Sequence, residues 1–272
     1  MTWRELAPEN FYELRSPLLI DVRSPSEHAE EKIPGSLNVP LLLDDERAEI
    51  GTIYKMEGEM VARRHALRFI AAKVSAIIDQ ILEIRRPGQA VVVYCWRGGL
   101  RSEAVAALLS IAGIGCARLT GGYKAWRKMV LADLQTDRYP FEAVVLHGMT
   151  GTGKTELLGE LARLGVQSLD LESLANHRGS TFGGMGLGKQ PSQKDFEAAL
   201  WNRLRSFGSG PVFLEAESRK IGRLNLPDCV LRRIRTGFAV LVTGDLDKRA
   251  VRVATEYMSH LSGAAEALPE GL

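Results

Sequence analysis

The chain carries, at residues 94–102, the stretch YCWRGGLRS, around which its first half is organised. An apolar run precedes this stretch and apolar residues at helical spacing follow it, which predicts a strand, a glycine-bearing loop and a helix start. Loop N–H groups at a helix start, together with nearby arginines, form an anion cradle and favour a thiolate over a thiol. We therefore predict that Cys95 is a catalytic nucleophile assisted by Arg97 and Arg101. The alternative is an inert cysteine, because free cysteines are often buried.

Length and composition predict about two domains and no membrane segment. The chain has 272 residues, of which 45% are hydrophobic and 25% are charged. Its longest mostly apolar stretch, 104–117, is too short to cross a bilayer, and its first residues do not resemble a signal peptide. The 3 cysteines are too few and too widely spaced for a disulfide framework or a Cys-x-x-Cys metal site. We expect a cytoplasmic protein without membrane contact.

The rest of the first half predicts a parallel α/β sheet. Short strands are predicted at 18–23 and 117–119, and apolar residues at helical spacing predict one long amphipathic helix over 59–84. Because strands alternate with helices, the strands are expected to be parallel, with ligands at their carboxyl ends. A new α/β pattern starts after Asp137, so we predict a first domain of residues 1–137 and a second of 138–272.

The second domain opens with a phosphate-binding motif. A predicted strand leads into GMTGTGKT at 148–155, a full match to G-x-x-x-x-G-K-T, and a helical pattern follows. In this motif glycines let backbone N–H groups surround a diphosphate, the lysine supplies a mobile positive charge and the hydroxyl ligates Mg²⁺. The alternative is a glycine-rich turn that binds nothing. The predicted phosphate-binding residues are Gly148, Thr150, Gly151, Gly153, Lys154 and Thr155, with Thr155 also the candidate ligand of Mg²⁺.

Acidic residues end two later strands and are further candidate contacts for substrate or metal. Asp170 and Glu172 follow a short strand, where they face bound phosphates or, in the case of Asp170, cap a helix. Glu215 and Glu217 end an apolar strand in the manner of a Walker B element. They are expected either to hold Mg²⁺ through water or to pair with nearby cations such as Arg219, which is itself a candidate contact for substrate.

A glycine-rich loop over 176–190 is predicted to cover a binding site. It contains His177 and Arg178, which are candidate phosphate contacts; the alternative for His177 is a surface residue without a role. Basic residues outnumber acidic ones between 178 and 235. This excess predicts a surface that faces a polyanion, and the alternative is a solvated surface of mixed charge.

Residues from about 18 to 129 resemble a rhodanese domain. The resemblance rests on DVR at 21–23, IPGS at 33–36, the loop from Cys95 to Arg101, and TGGYKAW at 120–126. Sulfurtransferases of this fold usually have one residue fewer between the cysteine and the last arginine, and the count in this chain is that of the rhodanese-fold phosphatases of the cell-cycle type. The longer loop makes a wider cradle, which suits a phosphate-sized anion better than a single sulfur atom.

The order of the two modules and several motifs together resemble the bacterial tRNA 2-selenouridine synthases. The motifs are CWRGGLRS at 95–102, GMTGTGKT at 148–155, LESLANHRGS at 171–180 and EAESRKIG at 215–222. The resemblance implies a fold with a rhodanese-like domain followed by a P-loop NTPase-like α/β domain. It also implies a transferase that converts wobble 2-thiouridine in tRNA to 2-selenouridine. A geranyl group from geranyl diphosphate is first placed on sulfur, and selenium from selenophosphate then replaces the S-geranyl group.

The same resemblance implies roles for the predicted residues. Cys95 takes up or delivers selenium while Arg97 and Arg101 hold selenophosphate, and Lys154 with Mg²⁺ stabilises the departing diphosphate. No tightly bound cofactor is expected, because selenophosphate and geranyl diphosphate are co-substrates. The expected partners are tRNA and an enzyme that supplies selenophosphate. Family members are expected to continue past residue 272, so that the second domain is expected to be shortened in this chain.

Two other functions remain open on the residues alone. A rhodanese-fold phosphatase or sulfurtransferase fused to a P-loop kinase-like module explains both loops. A non-enzymatic protein, with an inactive anion-binding module and a nucleotide-sensing switch, also explains them. Neither function accounts for the motifs that follow Thr155.

Overall fold

The computed structural model describes residues 3–14, 16–136, 138–180 and 183–265. It divides into two compact units, which we call unit 1 (Met1–Val130) and unit 2 (Leu131–Leu272). Asp137, at the predicted domain boundary, and residues 266–272, where the shortened end is expected, lie outside the described residues. In the part that is described, no helix combines the length and the apolar character needed to cross a membrane.

Unit 1 contains a five-stranded parallel sheet. Its strands are β1 (Trp3–Leu6), β2 (Leu18–Asp21), β3 (Leu37–Asn38), β4 (Val91–Tyr94) and β5 (Cys116–Leu119). They lie side by side in the order β1, β5, β4, β2, β3. The predicted parallel α/β architecture is therefore confirmed. The sequence pattern does not predict β1, because this edge strand is short and mostly exposed.

The helices of unit 1 follow a 3₁₀ helix at Pro8–Glu13. They are α1 (Pro25–Glu30), α2 (Asp44–Glu57), α3 (Glu59–Ala71), α4 (Val74–Ile84), α5 (Leu100–Ile111) and α6 (Gly122–Gln135), which continues into unit 2. The predicted single helix over 59–84 is wrong, because a turn at Ala72 and Lys73 separates α3 from α4. The N–H of Lys73 donates to Ile70 O, and its ammonium pairs with Glu46 of α2. Of these two helices, α4 places Ile77 and Ile81 in the core, whereas Ala62 is the one buried residue among the described residues of α3.

The central strand β4 positions the cysteine loop. All four of its residues are buried, as expected for a parallel strand that is covered on both faces. Because α5 begins five residues after Cys95, the loop is short and lies at the carboxyl end of the strand. This is the edge of a parallel sheet at which ligands are expected.

Unit 2 contains a four-stranded parallel sheet and a small hairpin. Its strands are β6 (Phe141–His147), β7 (Ser168–Leu169), β8 (Gly210–Glu215), the hairpin strands β9 (Lys220–Ile221) and β10 (Leu224–Asn225), and β11 (Phe238–Leu241). The sheet has the order β11, β6, β8, β7. Its helices are α7 (Lys154–Arg163), α8 (Leu171–Ala175), α9 (Gln193–Ser206), α10 (Asp228–Thr236) and α11 (Leu246–Ala265). The predicted strand–loop–helix setting of the phosphate motif is confirmed by β6 and α7.

Candidate functional site

The thiol of Cys95 lies at the base of its loop and is only 3% exposed. Its Sγ is 3.2 Å from the hydroxyl of Ser102 and 3.9 Å from the carbonyl oxygen of Gly99. The Ser102 hydroxyl also lies 3.0 Å from that carbonyl, to which it donates. The Cys95 sulfur is therefore in contact with polar groups at the start of α5. Ser102 was not among the predicted site residues, although it is the last residue of the YCWRGGLRS stretch.

Two glycine-containing loops interlock around the cysteine. Gly122 has φ +59°, and a Cβ added there would lie 2.2 Å from Cys95 O and 2.6 Å from Gly98 N. The N–H of Tyr123 donates to Cys95 O at 2.9 Å, and the N–H of Lys124 donates to Trp96 O at 3.0 Å. Only glycine permits this close backbone approach. The motifs around residues 95 and 120 thus form one structural unit.

A buried arginine supports both loops. The Arg23 guanidinium is fully buried, and it makes hydrogen bonds to both carboxylate oxygens of Asp21. It lies 5.7 Å from the centre of the Trp96 ring and 4.8 Å from that of Tyr123. These two rings stack on each other with a centroid distance of 5.5 Å. The DVR motif therefore positions the loop through cation–π contacts.

Arg97 and Arg101, the two predicted cationic partners of Cys95, differ in their ion pairs. Arg97 is exposed, and within the described residues its side chain makes no ion pair. Arg101 instead donates to both carboxylate oxygens of Glu27, at 2.5 and 3.2 Å. Burial opposes the ionisation of Glu27, but the hydrogen bond and charge of Arg101 outweigh it and lower the pKa of this carboxyl. Sequence reasoning missed Glu27 because it lies 74 positions away from Arg101.

The phosphate loop of unit 2 has the expected backbone geometry. Gly151 and Gly153 have φ +78° and +88°, and Gly153 is the residue before α7. The ammonium of Lys154 donates to Gly148 O at 2.9 Å, so that it lies across the loop. N–H groups at the start of α7, with this ammonium, provide positive charge for an anion.

Helix α11 packs against the phosphate loop, a contact that the sequence analysis missed. Arg249 donates to Thr150 O at 3.1 Å, and Arg252 donates to Gly151 O at 2.9 Å. Arg252 also pairs with Glu156 on α7 at 3.1 Å. The position of the loop therefore depends on a helix about 100 residues further along the chain.

Three glutamates lie behind and beside the loop. The Thr155 hydroxyl donates to Glu172 at 3.2 Å, and the N–H of Glu172 donates to Glu215 at 2.9 Å. Burial, followed by the charge of Glu217, raises the pKa of Glu172 to about 7. Burial, followed by the charge of Asp170, raises the pKa of Glu215 to about 8. Burial also raises the pKa of Glu217, and the charge of Lys154 opposes that rise.

A cleft of about 1160 Å³ brings most of the predicted residues of unit 2 together. The predicted residues that line it are Gly148, Thr150, Gly151, Gly153, Lys154, Thr155, Glu172, Arg178 and Glu217. Lys248 and Arg252 of α11 also line it and were not predicted. Glu215 does not line the cleft, because it is buried and only 1% exposed.

Three other predicted residues point elsewhere. Asp170 caps α8 by accepting the N–H of Ser173 at 2.7 Å, as its helix-capping alternative predicted. His177 accepts the N–H of Gly179 at 3.2 Å and so shapes the glycine-rich loop. Arg219 lies 3.6 Å from Asp228 as an exposed ion pair. None of these three lines the cleft.

The cleft suits Mg²⁺ only in company with a phosphate. Mg²⁺ prefers oxygen ligands and is usually held by one or two carboxylates together with substrate phosphates. Thr155 and Glu172 present such oxygens side by side. Among the described residues, no cluster of three or more His, Cys, Asp or Glu side chains is arranged to hold a metal ion alone.

Several arginines of the basic stretch 178–235 stabilise unit 2 internally. Arg203 donates to Ser168 O at 2.9 Å, and Arg232 donates to Gln135 O at 3.2 Å. Arg233 donates to the carbonyl of Tyr139 at 2.6 Å. The charge excess therefore overstates the number of cations that are free to meet a polyanion. Exposed cations of the stretch include Lys189, Lys220 and Arg235, and the side chains of Arg203 and Arg232 are also exposed although they make these internal contacts.

Comparison with known proteins matches both units to family models. The model of the tRNA 2-selenouridine synthase AAA domain matches residues 141–270, and that of the rhodanese-like domain matches residues 8–129. The tRNA 2-selenouridine synthase of Cupriavidus necator is 36% identical over 256 residues, which cover 93% of this chain and 68% of that protein. The chain belongs to the tRNA 2-selenouridine synthase family.

Other members of the tRNA 2-selenouridine synthase family show similar relationships. The protein of Hahella chejuensis is 38% identical over 248 residues, and that of Pseudomonas syringae pv. tomato is 37% identical over 247 residues. The chain covers 64% and 66% of the length of these relatives. Among solved structures, a rhodanese-related protein from Thermoplasma volcanium is 20% identical, with a TM-score of 0.29, over 46% of this chain and 92% of that one.

Proposed function

We propose that this chain is a tRNA-modifying transferase that converts wobble 2-thiouridine to 2-selenouridine through an S-geranyl intermediate. Geranyl diphosphate and selenophosphate are the two donors. The observation that carries the proposal is that one chain of this family combines a cysteine in an anion-shaped loop with a phosphate loop that opens into a cleft. Each of the two loops suits one donor, since each donor carries a phosphate-like group.

The first step is alkylation of the thiouridine sulfur in the cleft of unit 2. The sulfur attacks the first carbon of the geranyl group, a C–S bond forms, and the C–O bond to diphosphate breaks with its electron pair on oxygen. The proton on N3 of the base is released to solvent. Lys154 exchanges its contact with Gly148 O for the leaving diphosphate and stabilises the developing charge. Thr155 and Glu172 would hold Mg²⁺ against the diphosphate, where it adds further positive charge.

The second step is selenium transfer at the Cys95 loop. We assign to the Cys95 thiolate an attack on the phosphorus of selenophosphate, which forms a P–S bond and breaks the P–Se bond, so that selenide leaves. Selenide attacks C2 of the base, the C2–S bond breaks, and geranyl thiolate leaves and takes a proton. Water then hydrolyses the phosphocysteine to phosphate. Attack on phosphorus suits a loop that is wide enough for a phosphate-sized anion.

The tRNA is bound mainly through its phosphates by exposed cations of unit 2, among them Lys189, Lys220 and Arg235. An enzyme that supplies selenophosphate is the second partner. Phosphate contacts release counterions, so the affinity for tRNA is expected to fall steeply with salt. Affinity that stays constant between dilute and physiological buffer would contradict this binding mode.

Nucleoside mass spectrometry of 2-thiouridine tRNA, with each donor omitted in turn, tests the two steps. Cys95→Ala should abolish selenium incorporation and leave geranylation intact. Cys116→Ala is the matched control, because Cys116 is a second buried thiol of unit 1 whose pKa burial raises to about 11. Selenouridine formed by Cys95→Ala would refute the role of this residue.

Lys154→Ala should lower the rate of geranylation roughly 100-fold, the scale of losing one preorganised charge-stabilising group. Transfer RNA that already carries S-geranyl-2-thiouridine bypasses this step, so the same variant should selenate it at the wild-type rate. If selenation were equally impaired, Lys154 would serve tRNA binding rather than diphosphate. Turnover of a simple aryl phosphate without either tRNA product would favour the phosphatase alternative.

A further inference from the structure

Unit 1 contains an apolar groove that neither proposed step has used. The groove has a volume of about 940 Å³ and lies between α2, α3 and α5. Among its lining residues, Leu67 and Leu100 are 61% and 52% exposed, and Ala107 lies further along α5. Exposed leucines grouped in a concave surface indicate a binding site rather than scattered surface residues. The volume is within the roughly 300–1,000 Å³ typical of sites for small organic ligands.

The groove begins where the cysteine loop ends. Leu100 and Arg101 are the last residues of the YCWRGGLRS stretch before Ser102, and both line the groove. Ser102 lies on α5 next to them and contacts the Cys95 sulfur at 3.2 Å. A ligand held at this end of the groove is therefore adjacent to the loop to which we assign selenium transfer.

The lining of the groove carries an excess of positive charge, since its charged residues are the cations Arg47, Lys55, Arg63 and Arg101 and the acids Glu59 and Glu103. Arg47 and Arg101 both pair with the single carboxylate of Glu27, at 2.9 and 2.5 Å. Lys55 also lines the groove, and no ion pair involves its side chain within the described part of the chain. An apolar floor with a basic rim suits an apolar chain that is attached to a polyanion.

We propose that this groove binds the geranyl chain of the S-geranyl-2-thiouridine intermediate while C2 of the base faces the Cys95 loop. This inference rests on the proposed function, because the proposed function supplies the geranyl group as the apolar ligand. The ligand of the groove is the geranyl group attached to tRNA. Geranyl diphosphate binds elsewhere, because its diphosphate group is assigned to the phosphate loop of unit 2. The groove thereby selects the alkylated base for selenation and leaves the unmodified thiouridine unbound.

Binding rather than turnover gives the sharpest test, because it does not require that the protein selenate tRNA. We would titrate the full chain with S-geranyl-2-thiouridine and with S-methyl-2-thiouridine by isothermal calorimetry. Each buried CH₂ group contributes roughly fourfold in affinity, so burial of only about three or four carbons of the geranyl chain in this open groove already gives a preference for the geranyl nucleoside on the order of 100-fold. Ala107→Trp, which fills the groove, and Leu67→Gln, which makes it polar, should each reduce this preference at least tenfold.

Ile111→Trp is the matched control, since Ile111 is one turn beyond Ala107 on α5, is 84% exposed and does not line the groove. It should keep the wild-type preference. A preference that survives both groove variants would overturn the proposal, as would binding of the geranyl nucleoside that inorganic diphosphate displaces. If the groove variants lose the preference but the wild-type protein makes no selenouridine, the groove assignment stands and the proposed function fails.

Discussion

Replacement of Glu215 by Gln tests whether a neutral carboxyl lies beneath the phosphate-binding cleft. Its side chain is 1% exposed, and its Oε2 has no hydrogen-bond partner in the described part of the structure. Burial, followed by the charge of Asp170, raises its pKa from 4.5 to about 8. Glutamine preserves the oxygen that accepts the N–H of Glu172 and removes the ionisable proton.

The sign and size of the effect follow from proton linkage. The folded state binds this proton more tightly than the unfolded state, so the stabilising effect is complete below the unfolded pKa and is lost as pH rises toward the folded pKa of about 8. Within that window the loss is about 1.4 kcal/mol per pH unit. From pH 5 to pH 7, Glu215→Gln should therefore gain about 2 to 3 kcal/mol in unfolding free energy relative to wild type.

Urea unfolding at pH 5, 6 and 7, followed by tryptophan fluorescence, measures this difference. Titrating groups that do not interact with Glu215 contribute equally to both proteins and cancel in the comparison, whereas Glu172, whose charge helps to raise the pKa of Glu215, is coupled to it. Glu142→Gln on the neighbouring strand β6 is the control, because Glu142 is exposed, and its difference from wild type should stay within about 0.5 kcal/mol. Parallel pH curves for wild type and Glu215→Gln would show that Glu215 is ionised in the folded protein and would refute the reasoning.

Two further predictions concern the two candidate sites. Gly122→Ala should destabilise unit 1 by about 2 to 4 kcal/mol in urea unfolding, because the new Cβ would add backbone strain and a clash 2.2 Å from Cys95 O. Gly113→Ala is its control, because Gly113 has a similar φ of +75° but no atom within 4 Å of an added Cβ. A destabilisation above about 2 kcal/mol in Gly113→Ala would show that the positive φ alone explains the effect of Gly122→Ala. In the absence of Mg²⁺, the affinity for inorganic diphosphate should fall about tenfold more in wild type than in Glu172→Gln as pH rises through 7, because the carboxyl becomes an anion beside the ligand. Isothermal calorimetry in the presence of a chelator measures the affinity for diphosphate at each pH. An equal pH dependence in both proteins would show that a group other than Glu172 titrates near pH 7.

Local sequence patterns were sufficient for the backbone at both sites. The strand before Cys95 could be predicted because a parallel strand buried on both faces shows an uninterrupted apolar run. The phosphate loop could be predicted because its conformation requires glycines at positive φ, as found at Gly151 and Gly153. In both cases the requirement lies within a few neighbouring residues.

The division of the predicted helix over 59–84 shows where such patterns fail. Apolar spacing continues across Ala72 and Lys73, which are ordinary helix-forming residues, so nothing local marks the turn. The turn forms where α4 buries Ile77 and Ile81 in the core while Lys73 pairs with Glu46. Packing against other elements overrides the local preference.

The sequence by itself therefore determined the α/β class and the two loops, and it predicted Cys95 and Lys154 as their reactive or charged centres. Only the tertiary structure decided that Arg101 pairs with Glu27 and that an apolar groove adjoins the cysteine loop. The physical reason is that periodicity and glycine placement act over a few residues, through backbone geometry. Ion pairs, burial and grooves depend on which distant segments the folded chain brings within a few ångströms of each other.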